Sequence, residues 1–508
     1  MHDHGKSDRP IVPAKPPNNP GRPGAEAVEG RDLPEGNAAS EPRPERRAGQ
    51  GVSSDLGRVR QLARTDRELK FTALLHHVSV ERLEEAYRAI RPRAAAGIDG
   101  VSWAEYGQNL QRNLCDLHAA LHRGAYRAKP TRRVLIPKPD GQQRPLSIAT
   151  LEDKILQRAL VQVLSAIYEQ DFLGFSYGFR PGRSAHDALD ALTVGIEQKK
   201  VNFVLDADIR DFFGRLDQGW LERFLEHRIA DRRVLRLIGK WLRAGVIEDG
   251  EWSQTQTGTA QGASVSPMLS NVYLHYAFDL WANQWRRRHA RGEMILVRYA
   301  DDYVVGFQHR KDAERFLADL RVRFAKFGLE LAAEKTRLIE FGRFAAERRQ
   351  RHGLPKPQTF EFLGFTHMCA TDRHGRFRLR RTTSKKKMRA KLRLVKAEMK
   401  RRRHLPIPEQ GRWLSRVLIG HYDHYAVPDN SKALRDFRHA VVRHWRGALA
   451  RRSQRGRMSW ERIYRYADRW LPAPRIQHPW PRVRFDARPK GRAQCVDAHA
   501  GICAGGRQ

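Results

Sequence analysis

The chain of 508 residues carries 95 Lys+Arg against 57 Asp+Glu, a formal charge of +38. Such length implies roughly three domains, and such charge points to a polyanionic partner, nucleic acid ahead of an anionic membrane surface. No run nears the ~20 apolar residues of a membrane span, residues 1–6 open no secretory signal, and Cys115, Cys369, Cys495 and Cys503 form no Cys-x-x-Cys pair, so a reducing, cytoplasmic setting is expected.

Residues 1–57 are rich in Pro, Gly, Arg and Glu and are expected to be disordered, because they cannot bury enough apolar surface to offset their ordering entropy. Helical apolar spacing follows over Phe71–Ile90 and Tyr106–Leu121. The segment 132–148 reads as two short strands about an Asp140-Gly141 turn. Lys138 and Arg144 flank that turn, placed to close on an anion such as a triphosphate; a pair of surface cations is the competing reading.

A helix over Glu152–Gln170 leads to Gly178-Phe-Arg-Pro-Gly-Arg-Ser184. Ser184 and Asp187 form a capping box opening the next helix. Arg180 and Arg183 sit on the loop before it, where backbone N–H groups also face phosphate, and are expected to contact an RNA backbone. Val201–Ile209 reads as a strand with Asp206 and Asp208 on one face. Gly258-Thr-Ala-Gln-Gly262 is a glycine-punctuated loop, and Ser266-Pro267 reads as N-cap and first turn of a helix with apolar residues at Leu269, Tyr273, Tyr276 and Leu280.

Ile295–Phe307 holds two apolar, β-branched runs around Asp301-Asp302, a hairpin with adjacent carboxylates at its turn. The turn lacks Asn-Gly or Asp-Gly, and neighbouring carboxylates repel unless a cation lies between them. A pair of Mg²⁺ ions would be that cation, since hard cations take oxygen ligands. A solvated acidic turn is the bland alternative. The strand some ninety residues earlier supplies a third carboxylate, and spacing alone leaves Asp206, Asp208 and Asp211 open.

Phe316–Phe327 reads as an amphipathic helix, 329–341 as apolar runs enclosing Glu334-Lys335-Thr336, and Phe360–Phe365 as a strand. Helices and strands mix without repeats, an α+β pattern. Residues 380–403 then hold thirteen Lys or Arg and one acid over a helical pattern, and three more helices are expected over Trp413–Tyr425, Leu434–Leu449 and Trp460–Leu471. Their basic faces, with Lys385, Lys386, Lys387 and Arg389, suit structured RNA. The tail 482–508 is basic and weakly patterned.

Together these stretches resemble the reverse transcriptase/maturase encoded by bacterial group II introns. The resemblance runs from about Ala94 to Pro481 through Gly97-Ile-Asp-Gly100, Arg144-Pro-Leu146, Gly178–Ser184, Asp208-Ile-Arg-Asp-Phe-Phe213, Gln261-Gly262, Tyr299-Ala-Asp-Asp302, Glu334-Lys-Thr336 and Phe362-Leu-Gly-Phe365, then Gly420–Tyr425, Arg451–Arg455 and His478-Pro-Trp480. It implies a right-hand polymerase: fingers and palm over 58–370, and an α-helical thumb or maturase domain over 371–481. It also implies Asp208, Asp301 and Asp302 as ligands of two Mg²⁺ ions and Lys335 as a lysine near the leaving pyrophosphate. Lys138, Arg144 and Gln261 would line the nucleotide pocket, with Phe213 crowding the incoming sugar's 2′ carbon. The implied partners are intron RNA, an RNA template with a DNA primer, and deoxynucleoside triphosphates, with no membrane and a homodimer left open. Ala260 stands where the family usually has Pro, and no HNH-type Cys/His pattern follows the thumb. A reverse transcriptase of another retroelement or defence system, and a splicing cofactor with an idle polymerase site, are the competing functions.

Overall fold

The computed structural model describes residues 50–137, 143–248, 251–253, 257–452 and 458–487. In chain order, α1 (Gln50–Thr65), α2 (Val80–Ala89), α3 (Trp103–Gln108) and α4 (Leu110–His122) precede β1 (Thr131–Pro137) and β2 (Gln143–Ile148). Next come α5 (Leu151–Asp171), α6 (Ala185–Gln198), β3 (Phe203–Ala207), α7 (Phe212–Arg215), α8 (Gln218–Glu226), α9 (Arg232–Arg243), β4 (Val246–Glu248) and β5 (Glu251–Ser253). After α10 (Ser266–Leu274), a single π-helical turn His275–Asp279 leads into α11 (Leu280–Arg288). The order then runs β6 (Met294–Tyr299), β7 (Asp302–Phe307), α12 (Arg310–Lys326), β8 (Arg337–Glu340), α13 (Ala345–Arg351), β9 (Phe360–Phe362), β10 (Phe365–Thr371) and β11 (Phe377–Thr383). The C-terminal part is helical: α14 (Lys385–Arg401), α15 (Ile407–Tyr425), α16 (Ser431–Ala450), α17 (Trp460–Trp470) and α18 (Pro481–Asp486).

An antiparallel sheet of order β6-β7-β3-β8 forms the centre. All six residues of β6 are buried, and all of β7 except Asp302. Helices α6 and α12 pack on its strands, which explains why these segments read as apolar runs rather than as alternating ones. Two smaller sheets flank it, β2-β1-β4-β5 and β11-β10-β9. Within the first, β1 pairs β2 antiparallel and β4 parallel.

The helix ends follow local chemistry. Ser184 and Asp187 make the expected capping box on α6, and Thr150 caps α5 by accepting from the Asp153 N–H. Pro267 does lie in the first turn of α10, but Val265 is the N-cap, because the Ser266 hydroxyl is turned to the Ala260 carbonyl, 2.8 Å away.

A second core gathers Leu414, Leu418, Tyr422 and the stripe Leu434, Phe437, Val441, Trp445 and Leu449. Each aliphatic or phenyl group there contributes about 1.5–3 kcal/mol relative to exposure. Trp445 donates its ring N–H to the Gln410 carbonyl oxygen at 2.8 Å, and Gln410 in turn donates to the carbonyls of Arg402, Arg403 and Leu405, so the polar atoms of these two buried side chains are satisfied.

Four further expectations about the fold need correction. Helix α1 begins at Gln50, inside the stretch 1–57 expected to be disordered: Leu56, Val59 and Ala63 pack into the main core, and α1 lies along α5. Residues 1–49 lie outside the described residues. The segment Phe360–Phe365 is not one strand but a hairpin, with Leu363 (φ +47°) and Gly364 (φ +85°) at its turn. A leucine at positive φ is poor turn chemistry, which hid the turn. The divide between the cores falls near Ser384 rather than at 370, because the β10–β11 hairpin crosses 371 and Leu379 belongs to the first core. Finally, the tail expected from 482 begins as α18, which packs on α6; 488–508 lie outside the described residues.

That return of the chain ties the two cores together. Asp190 on α6 accepts from Arg381 (3.0 Å) and lies 3.2 Å from Arg484 of α18. Beside it the His186 ring stacks on His478 at 3.9 Å and lies 5.3 Å from His424. Among the described residues, no helix is long and apolar enough to cross a membrane.

Candidate active site

The carboxylate pair sits on the β6–β7 hairpin. Tyr299 pairs with Asp302, leaving Ala300 and Asp301 as the two central turn residues. Ala300 has φ +54°, a position that two-residue hairpins usually give to glycine. Holding an alanine there costs about 1–2 kcal/mol, and such strain persists only when the surroundings over-determine it.

Those surroundings centre on Arg298, the lone charge in the apolar run, which is fully buried. Its guanidinium donates to the Ala300 carbonyl (2.8 Å), Asn271 Oδ1 (3.0 Å) and Ser176 Oγ (2.8 Å), and to both oxygens of Asp279 (2.7 and 2.5 Å). Asp279 is also fully buried, and it closes the π-helical turn, a feature frequent at functional sites. Asn271 donates to the Gly178 carbonyl at 2.8 Å. Gly178 in turn lies so close to the hairpin that a Cβ would meet Ala300 N at 2.3 Å, so only glycine fits there. Arg298, Asp279, Asn271 and Gly178 thus clamp the turn from behind. Sequence reasoning missed Arg298 and Asp279; a single arginine inside an apolar strand run was the available signal.

Asp208 reaches the same rim. The β3–β7 register ends at Ala207↔Tyr303, so the next positions in line are Asp208 and Asp302. The Asp208 carbonyl accepts from the Ala332 N–H (2.8 Å), docking the 332–335 turn, and the Lys335 ammonium forms an ion pair with the Asp208 carboxylate. The hydrogen bond to Asp208 holds the Lys335 pKa above its ordinary value, with the charges of Asp208, Glu334 and Asp302 adding to it. Lys335 therefore sits in the field of two of the expected metal ligands. Asp206 is engaged elsewhere, 2.9 Å from Arg337, and burial raises its pKa despite that partner. Asp211 precedes α7 at φ +44° without a side-chain capping bond, and its carboxylate fills the space that Gly214 leaves free.

An all-carboxylate donor set matches a hard divalent cation. Among the described residues, no three His, Cys, Asp or Glu side chains converge on one point, so Asp208, Asp301 and Asp302 share a rim without forming a closed cage.

The loop 257–262 packs between Phe213, five residues beyond Asp208, and β2. Gly258 packs so tightly that a Cβ would lie 2.5 Å from the Phe213 carbonyl oxygen, which accepts from Thr259 N–H at 2.9 Å. Gln261 accepts from the Ser147 N–H at 2.7 Å, and Gly262 abuts Leu146. Phe213, Gln261 and β2 are thereby joined. Arg144 sits on β2 opposite Ile136, with its side chain outside the described residues, as is all of Lys138.

Arg180 and Arg183 turn inward rather than to the surface. Arg180, 3% exposed, is forked onto Glu169 (3.0 Å) and donates to the carbonyls of Leu173 and Ser176. Arg183 donates to the carbonyls of Gly174 and Ser176. Both are internal braces of the loop, because buried carbonyls there need donors and guanidinium supplies several in a fixed geometry. In contrast, Lys385, Lys386, Lys387 and Arg389 are all exposed at the start of α14.

Comparison with known proteins agrees with this geometry. Residues 136–367 match the model of the family described as reverse transcriptase (RNA-dependent DNA polymerase). The chain is 31% identical to Protein YkfC of Escherichia coli over 334 residues, covering 57% of this chain and 87% of that protein. It is 38% identical to the group II intron-encoded protein LtrA of Lactococcus lactis over 157 residues, 31% of this chain and 26% of that protein. It is 30% identical to the mitochondrial nuclear intron maturase 2 of Arabidopsis thaliana over 124 residues, 21% of this chain and 15% of that protein. A buried strand hairpin bearing two aspartates, a third in register beside it and these matches lead to one assignment: the chain belongs to the reverse transcriptase family and is similar to its intron-encoded members.

Proposed function

We infer that this protein is the RNA-directed DNA polymerase and RNA-splicing maturase of a group II intron, copying RNA into DNA and stabilising folded intron RNA. The observation that supports it is the clamped turn bearing Asp301, with Asp302 and Asp208 the next positions in line beyond the last pair of β7 and β3.

Asp208, Asp301 and Asp302 would hold two Mg²⁺ ions, which when bound activate the primer 3′ oxygen and neutralise charge on the triphosphate. Lys335, held beside Asp208, supplies a positive charge toward the leaving pyrophosphate. Phe213 would close the side of the pocket that receives the sugar and Gln261 would meet the nucleotide; the backbone bonds that join Phe213 to Thr259 and Gln261 to β2 support this reading. The Arg298 clamp keeps the carboxylates from reorganising as charge develops. The exposed cations of α14 grip RNA phosphates, and α14–α17 act as the thumb.

Asp301→Asn should lower primer extension on an RNA template by several orders of magnitude, since an anionic ligand is lost where charge develops. Retention of more than about a tenth of parental extension would remove Asp301 from the ligand set. Asp302→Ala should abolish copying yet leave protein-assisted splicing nearly intact; equal loss of both would undo the separation of the two activities.

A further inference from the structure

The loop expected to grip phosphate through its arginines turns a different residue outward. Residues 172–178 and Arg180 are all buried, and Phe179 alone in that run is exposed, at 41%. Its backbone is left-handed, φ +56°, which for a bulky side chain is a strained outlier. A phenylalanine exposed to water, in a conformation that favours glycine, contributes nothing evident to folding.

The conformation is imposed from both sides. Gly178 is locked against Ala300 and held by Asn271, while Arg180 is anchored on Glu169. The result places the Phe179 ring 6.3 Å from that of Tyr299, two residues before Asp301. An apolar ring beside the turn that bears Asp301 cannot bind phosphate, and the two arginines that follow it, Arg180 and Arg183, face inward. What it matches is the uncharged part of a nucleotide, the sugar edge and base face, which stack on aromatic rings.

We propose that Phe179 is a binding residue for the 3′-terminal nucleotide of the primer, its ring supporting the sugar and base so that the 3′ oxygen meets the carboxylate rim. This rests on the polymerase reading of the site. The strain at Phe179 then has a purpose: the same glycine–alanine contact that fixes the catalytic turn also aims the ring.

The test uses the full-length protein with an RNA template and a DNA primer carrying 2-aminopurine at its 3′ end. Phe179→Ala and Phe179→Gly should each lose most of the fluorescence change that the parent shows on binding. They should raise the KM for primer–template about tenfold while leaving the KM for deoxynucleotide unchanged. Phe179→Tyr should restore both readings. The melting temperature should be unchanged in Phe179→Ala and equal or higher in Phe179→Gly, because glycine relieves the strained backbone. An unaltered aminopurine signal in both small variants overturns the proposal, as does a melting-temperature loss that tracks the activity loss. Failure of the polymerase reading is seen separately, as a parent that extends no primer; the aminopurine signal still decides Phe179.

Discussion

Arg298 and Asp279 meet through two hydrogen bonds of 2.7 and 2.5 Å, with neither side chain exposed to solvent. The pair's second task is the contact from Arg298 to the Ala300 carbonyl. Arg298→Ala should destabilise the fold by about 3–5 kcal/mol, because it strands a buried carboxylate. Arg298→Met combined with Asp279→Leu removes both charges and should recover most of the melting temperature. Primer extension by that double variant should remain at least tenfold below the parent, about 1.4 kcal/mol, because the strained turn has lost its donor. A double variant that regains both stability and extension would reduce Arg298 to packing.

The start of α14 concentrates Lys385, Lys386, Lys387 and Arg389 on exposed positions. Replacing all four by alanine should weaken intron-RNA binding and lower the salt slope by roughly one unit per cation that meets a phosphate. Fluorescence anisotropy across a salt series measures both. Equal affinity with an unchanged slope would move the RNA contact off α14.

Phe213 is half-buried and packs against the main core, so two roles compete for it. If it guards the sugar position, Phe213→Val should shift the kcat/KM ratio toward ribonucleotides at least tenfold, roughly 1.4 kcal/mol. If it only packs, both substrates should slow alike through the cavity left behind, and stability should fall. Steady-state kinetics with paired deoxy- and ribonucleotides separates the two.

Acid should loosen the junction between the two cores. Burial lowers the pKa of His186 to about 2 and of His424 to about 4, with neighbouring histidines and the charges of Arg381, Arg484 and Lys387 acting in the same direction; His478 is lowered too. An unfolded histidine takes up its proton near pH 6.5, whereas these cannot until much lower pH, so their stabilisation is complete above about 6.5 and falls as pH drops. At pH 5 the loss reaches about 2 kcal/mol for each of His186 and His424. Melting temperature should drop from pH 7.5 to pH 5, and His186→Leu should narrow that drop. A drop of the same size in the variant would place the acid sensitivity elsewhere.

Much of the architecture was legible because the signals are local. The helix expected over Glu152–Gln170 is Leu151–Asp171, and that over Leu434–Leu449 lies within Ser431–Ala450; both have a long, uninterrupted apolar period. The Asp301-Asp302 hairpin was readable from two β-branched runs. Boundaries failed where local chemistry misleads. Leu363 occupies a left-handed turn position, and the cations of 380–383 belong to a strand that the helical pattern of α14 absorbed.

The sequence by itself pointed to the Asp301-Asp302 pair, to a polyanionic partner and to an α+β body preceding a basic helical one, since composition, periodicity and ordered motifs carry that information along the chain; it left the third carboxylate to the family resemblance. The tertiary structure alone decided which way side chains point. Arg180, Arg183 and Arg298 look alike as charges in a sequence, but burial obliges each to satisfy internal carbonyls and carboxylates, because an unpaired guanidinium inside the protein is too costly. The same constraint leaves Phe179 outside: with its neighbours clamped inward by Glu169, Asn271 and Ala300, its ring stands in solvent beside the Ala300-Asp301 turn.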